Sequence, residues 1–152
     1  MTTMPKIVFV CSSNRTRSPM AAAYFRNLLD KAGMNDYEVD SAGLRAQYHG
    51  TICKESIEAL AAEGIEPLRL GVQKLLPKLI KSADLLVCMT RDQLREIRKT
   101  YISAANKTIT LMSVLHLDVD VFDPNKQPLQ RHTTCLNMMK PALNALAKRI
   151  GD

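Results

Sequence analysis

Apolar and polar positions along this chain follow two rhythms that take turns. Short strand-like runs recur: Lys6-Ile7-Val8-Phe9-Val10, almost wholly apolar, then residues 37–43, which lead into a turn, the apolar run 83–89, and residues 107–112. Their length and β-branched content read as buried strands. Between them, apolar residues recur at helical spacing. Residues 19–32 carry Met20, Tyr24 and Leu28 on one stripe and stop at Gly33, a suitable C-cap. Residues 51–63 place Cys53, Ile57, Leu60 and then Gly64 at the same period. Residues 72–82 read as a helix bent near Pro77. Thr90 caps a charged helix reaching about residue 103. A last helix over 133–150 turns Leu136, Met139, Leu143, Leu146 and Ile150 inward.

Apolar strands alternating with helices predict an α/β fold: one domain over residues 1–152, with a four-stranded parallel sheet and helices on both faces. Ligands of such sheets bind beyond the carboxyl ends of the strands, at the topological switch point. Cys11 lies just past the first strand, Ser41-Ala42-Gly43 past the second, Met89-Thr90 past the third, and Asp123 in the segment after the fourth. The residues with chemical character therefore gather at one end.

The segment Cys11-Ser12-Ser13-Asn14-Arg15-Thr16-Arg17-Ser18-Pro19 sits between the first strand and the first helix. Its five residues between Cys11 and Arg17 can fold into a cradle of inward-pointing N–H groups, an anion-binding nest. Arg17 would close the cradle with a planar fork suited to phosphate oxygens. Ser18 can cap the following helix, Pro19 suits its first position, and the helix aims its positive end at the same place. Cys11 at the floor is then a thiolate nucleophile. Most lone cysteines are merely small buried hydrophobes, but Cys53, Cys88 and Cys135 have no arginine at the matching distance.

A thiolate that attacks phosphorus needs a proton donor for the leaving oxygen and later a base for water. Asp123 is the candidate, stiffened by Pro124 and with Phe122 placed to desolvate it; Asp118 and Asp120 compete, and Asp-Pro is also a common turn start.

Composition narrows the class. Hydrophobic residues make up 46% of the 152 and charged residues 24%, the signature of a globular chain. No apolar stretch approaches the ~20 residues of a membrane helix, and residues 1–6 lack the charged head and apolar core of a secretory leader. Four scattered cysteines argue against a disulfide scaffold and against zinc, and point to a reducing cytoplasm. The net charge of +6 suits an anionic substrate. The basic residues are dispersed, with Lys126, Gln130, Arg131 and His132 the nearest approach to a patch. Aromatics are only 5% of the chain, so a nucleic-acid partner is not expected.

The chain resembles a low-molecular-weight protein tyrosine phosphatase. The resemblance rests on Val10-Cys11-x-x-Asn14-x-x-Arg17-Ser18-Pro19-Met20-Ala21, Asp40-Ser41-Ala42-Gly43, residues 83–90 and Asp123-Pro124, in order across nearly the whole chain. It implies that Cys11 forms a phosphocysteine, that Arg17 binds phosphate and stabilises the transition state, and that Ser18 donates to the thiolate. Asp123 would act as acid and then base, and Asn14 and Ser41 would fix the loop. Ser12, Ser13, Arg15 and Thr16 complete the substrate-binding loop. No metal or organic cofactor is implied. The expected partner is a phosphotyrosine protein or small aryl phosphate, and the expected state a monomer or weak dimer.

The chain departs from the family pattern at several places. Ser13 stands where glycine is usual, so the loop must accept a Cβ. Thr16 replaces a second cysteine, which removes the partner for a protective disulfide. Asn125 and Lys126 follow Asp-Pro where aromatics are common, and a histidine supporting the loop is replaced near Leu70. Tyr48 and His49 are candidate cleft walls. Arg15 occupies a position that is apolar in tyrosine-directed members and a small threonine in protein-arginine phosphatases. At the rim it should repel a phosphoarginine guanidinium by about 1 kcal/mol and favour acidic phosphotyrosine segments, or else swing into solvent. Two further readings use the same loop: a thiol-dependent arsenate reductase, for which Cys88 falls inside a strand, and a phosphate-binding module without turnover. No GxxxxGK[ST] run is present, so a nucleotide-binding loop of that kind is not expected.

Overall fold

Residues 7–11 are all buried, and a strand that is apolar on both faces must run through the interior with a packed layer on each side. In the computed structural model, which describes residues 4–152, β1 (Lys6–Cys11) does so. It pairs in parallel with β2 (Glu38–Gly43) on one side and β3 (Leu85–Cys88) on the other, and β4 (Thr108–Thr110) completes the order β2-β1-β3-β4. The chain leaves β1 for one edge and returns to the opposite edge, so the switch point falls at the carboxyl end of β1, at Cys11.

The pleat divides β1 between two cores. Ile7, Phe9 and Cys11 face a large cluster built with α1 (Arg17–Lys31), α2 (Lys54–Ala61) and α5 (Leu129–Gly151). Phe9 meets Phe25 edge-on there, with ring centroids 5.3 Å apart. Val8 and Val10 face a smaller cluster with α3 (Pro77–Ser82) and α4 (Arg91–Thr100). Each fully buried Leu, Met or Phe contributes on the order of 1.5–3 kcal/mol. The loop after β1 is thus anchored by a strand that cannot shift without disturbing both faces.

Several boundaries differ from the sequence expectations, each for a local reason. Residues 72–76 are not helical. They run extended past the end of β2, where Gly43 N–H donates to Gln73 O at 2.9 Å and Leu75 N–H to Gly43 O at 2.9 Å. Pro77 therefore starts α3 rather than bending a longer helix, at a position where a missing N–H costs little. Residues 51–53 tie to neighbouring loops, Thr51 bridging to Gly71 and Cys53 N–H donating to Arg15 O, so α2 begins only at Lys54. α5 starts one turn early, directly after Pro128, and α4 stops at Thr100 before a tight turn over Ile102–Lys107. The residues nearest to a basic patch do not form one, in keeping with the dispersed basic charge: His132 is buried against Ser56, and Arg131 lies over the Phe122 ring. Among the described residues, no helix is long and apolar enough to cross a membrane. The reading of residues 1–6 as lacking a leader falls partly on residues 1–3, outside those described.

Candidate active site

The site begins with a backbone constraint. Asn14 has φ +59°, the left-handed region that asparagine tolerates better than most residues. Its side chain is fully committed to holding that turn. Nδ2 donates to Ser18 Oγ at 2.8 Å and to Ser41 Oγ at 2.9 Å, and Oδ1 accepts Gln73 N–H at 2.9 Å. Ser13 does not share this region, so its Cβ is accommodated and the strain falls on Asn14. Gly43 supports the loop from beneath. A Cβ there would sit 2.7–2.8 Å from backbone atoms of Ser12, Ser13 and Asn14, so only glycine lets β2 approach this closely.

Cys11 is buried at the floor, its Sγ 3.0 Å from Ser18 Oγ. Ser18 is not the helix cap, because α1 begins at Arg17. Its hydroxyl accepts from Asn14 and has one proton to give, with Cys11 Sγ and Ala42 O (3.3 Å) as the alternatives. A thiol can donate to Ser18 while Ser18 donates to Ala42; a thiolate would take the Ser18 proton instead. The same two side chains can therefore serve both states of the sulfur.

Arg17 is only 5% exposed. One of its terminal nitrogens donates to Val121 O at 3.0 Å and the other lies 3.6 Å from Asp123 Oδ2, while its buried Nε–H has no partner among the described residues. Burying an unmatched charged donor is costly, and a tetrahedral oxyanion in the loop would satisfy it. Asp123 also accepts from Thr16 Oγ1 at 2.9 Å and from Asn125 N–H at 3.1 Å. The structure thus brings Cys11, Ser12, Ser13, Asn14, Arg15, Thr16, Arg17, Ser18, Ser41 and Asp123 together. Asp118 and Asp120 instead pair with Arg91 at the start of α4. Phe122 packs against the core and does not cover the Asp123 side chain, which is 38% exposed.

Arg15 does not swing into solvent. It is half-buried, with Nε donating to Thr51 O at 3.0 Å and a terminal nitrogen reaching Asn125 Oδ1 at 3.5 Å. Tyr48 stands apart. It is 91% exposed, its ring tilted against that of His49, and lines a neighbouring hollow rather than the cavity that abuts the loop.

Three supporting residues escaped the sequence reading. Arg69 and Gln73 hold Asp40, Arg69 at 2.5 Å and Gln73 at 3.0 Å, and both also donate to Ser41 O. Burial pushes the Asp40 carboxyl up, but hydrogen bonds from Arg69, Gln73 and the Ser41 N–H, with the Arg69 charge, outweigh it and hold it below the usual carboxylate range. Gln93 donates to Ser12 Oγ at 3.3 Å and accepts from the backbone of Met89 and Thr90. Only Gln93 left a signal, the capping box Thr90-x-x-Gln93. Elsewhere, burial pushes the Cys88 and Cys135 thiols up to about 12 and raises that of Cys53.

Comparison with known proteins settles the family. The profile of low molecular weight phosphotyrosine protein phosphatases matches residues 6–152. The chain belongs to this family. It is therefore a cysteine-based phosphatase by membership. It is 32% identical over 145 residues to a protein-arginine-phosphatase of Bacillus subtilis, covering 95% of each chain. It is 30% identical to a low molecular weight protein-tyrosine-phosphatase of Streptomyces coelicolor, covering 97% of this chain and 94% of the relative. Among solved structures, it matches a YwlE arginine phosphatase with a phosphorylated active-site serine in place of cysteine, at TM-score 0.91 and 30% identity over 97% of this chain and 96% of that one.

Proposed function

We propose that this family member hydrolyses phosphotyrosine in proteins, and small aryl phosphates, through a phosphocysteine formed on Cys11. The observation that carries this reading is that the Asp123 carboxylate and the Arg17 guanidinium meet at the mouth of a loop whose floor is Cys11. In the first step the Cys11 thiolate attacks phosphorus, the bond to the aryl oxygen breaks, and a protonated Asp123 gives its proton to that oxygen. Arg17 turns its fork to the equatorial oxygens as charge develops on them. In the second step water attacks the phosphocysteine, Asp123 takes the proton, and inorganic phosphate leaves with the thiolate restored. Ser18 donates to the sulfur when it is a thiolate, before it attacks and again as it leaves phosphorus in the second step.

The relatives include both tyrosine- and arginine-directed enzymes. Arg15 favours the aryl substrate here, because a guanidinium at the rim opposes the cationic body of phosphoarginine. Arsenate reduction would need a second thiol to resolve the adduct, and Cys53, Cys88 and Cys135 are all buried, Cys53 with its thiol donating to Asn125 Oδ1. A reducing, cytoplasmic setting and a monomer or weak dimer accord with a thiolate enzyme of this size.

Hydrolysis of p-nitrophenyl phosphate against pH by the native chain, Cys11→Ser and Asp123→Ala tests the reading. Cys11→Ser is expected to abolish turnover, and Asp123→Ala to lower it strongly and flatten its pH dependence. Phosphate binding by an inert native chain under reducing conditions would overturn the reading in favour of a binding module.

A further inference from the structure

Beside the phosphate loop lies a cavity of about 420 Å³ whose walls include Ser13, Arg15, Arg45, His49, Val72 and Asn125. Two of these residues are cationic, but they are not equivalent. Arg45 is exposed and paired with Glu96 at 2.7 Å, so its charge is already answered. Arg15 is half-buried and fixed across the mouth by a carbonyl and an amide, Thr51 O and Asn125 Oδ1, neither of which carries charge. A guanidinium held rigidly at the entrance with neutral partners retains its positive field, and it loses little side-chain freedom when an anion arrives.

We propose that Arg15 and this cavity form a second anion subsite that selects phosphotyrosine segments with an Asp or Glu one or two residues from the phosphotyrosine. The proposal rests on the phosphotyrosine-hydrolase reading above. Arg15 lies two residues before Arg17 in the loop, so a phosphate bound at Arg17 brings the flanking peptide across the Arg15 rim. One or two residues of extended chain span about 3.3–7 Å, enough to lay a neighbouring carboxylate over the Arg15 fork. The loop binds the phosphate of every substrate alike. The rim then distinguishes substrates by what flanks the phosphate, and a basic neighbour meets repulsion.

The test uses two phosphotyrosine peptides identical except for a flanking Glu or Gln, with p-nitrophenyl phosphate alongside, on the native enzyme, Arg15→Gln and Arg15→Lys. The native enzyme is expected to favour the acidic peptide about three- to five-fold in kcat/KM, the scale of one solvent-facing ion pair, and to lose that preference as salt is raised. Arg15→Gln should bring the ratio near unity, while Arg15→Lys keeps most of it. A purely positioning role for Arg15, through Asn125, would lower all three substrates alike and leave the ratio intact, which would overturn the proposal. An acidic preference that survives Arg15→Gln, or a native ratio insensitive to salt, would overturn it equally. These outcomes leave phosphatase activity standing; a native enzyme that turns over none of the three substrates removes that reading and this proposal together.

Discussion

Thr16 donates its hydroxyl proton to Asp123 Oδ1 at 2.9 Å, joining the phosphate loop to the segment after β4 across 107 residues of sequence. This contact sits where the family often carries a cysteine, and it gives threonine a task of its own. In the proposed mechanism Thr16 is a positioning residue: it fixes the carboxyl that would reach the leaving oxygen. Thr16→Val keeps the shape and removes the donor. With Asn125 N–H and Arg17 still in place, kcat on p-nitrophenyl phosphate should fall about three- to ten-fold, the scale of one ordinary hydrogen bond. KM should change little, and Thr16→Ser should restore most of the rate. A loss confined to KM would contradict the positioning role.

Gly43 meets the loop so closely that Gly43→Ala must push the backbone of Ser12, Ser13 and Asn14 outward. The cradle is the part affected, because Ala42 and Gly43 remain paired to β1. Inhibition by inorganic phosphate measures the damage. Its inhibition constant should weaken by about tenfold or more, since a displacement near 1 Å costs a preorganised site on that scale. An unchanged constant would mean that the loop is not held by this contact.

Asp40 supplies the pH dependence. Its carboxyl titrates lower in the folded protein than in the unfolded chain, so it contributes stability that is present above the unfolded value near ~4 and lost as pH falls through the lowered folded value. Urea unfolding of the native chain and Asp40→Asn should therefore differ most at neutral pH and converge as the pH drops below about 4. A gap that widens on acidification would have the wrong sign for this network.

Burial also separates the cysteines. Cys88 and Cys135, with thiols pushed up to about 12, should resist iodoacetamide in the folded enzyme throughout the range about pH 6–9, and react only on unfolding. Peptide mapping after timed labelling checks this. Rapid labelling of either would show that the core opens more readily than its packing indicates.

The strands and the loop were legible because their signals are local. The runs at residues 6–10 and 83–89 are apolar enough to mark the centre of the sheet, and the spacing of Cys11, Asn14, Arg17 and Ser18 encodes a turn braced from within by the Asn14, Ser18 and Cys11 side chains. What the sequence did not reveal depends on distant partners. The segment 72–76 has helical apolar spacing, but Gly43 and Gly50 take its backbone hydrogen bonds and keep it extended. Arg69 and Gln73 look like ordinary surface residues until the fold brings them to Asp40 and Asn14. Phe122 reads as a cover for Asp123, yet α5 offers it a core to pack against and Arg131 closes over the ring. Asp123 could not be told from Asp118 and Asp120 by spacing, and the position of Arg91 separates them.

The central claim is that phosphorus passes through the sulfur of Cys11. The most direct measurement is rapid acid quenching of Asp123→Ala during turnover of p-nitrophenyl phosphate, followed by mass spectrometry of the peptide that contains Cys11. Without the base, breakdown of the intermediate should slow, and a fraction of Cys11 should carry one phosphoryl group, absent from Cys53, Cys88 and Cys135. Steady product release with Cys11 never phosphorylated, or turnover that survives Cys11→Ser, would contradict the account.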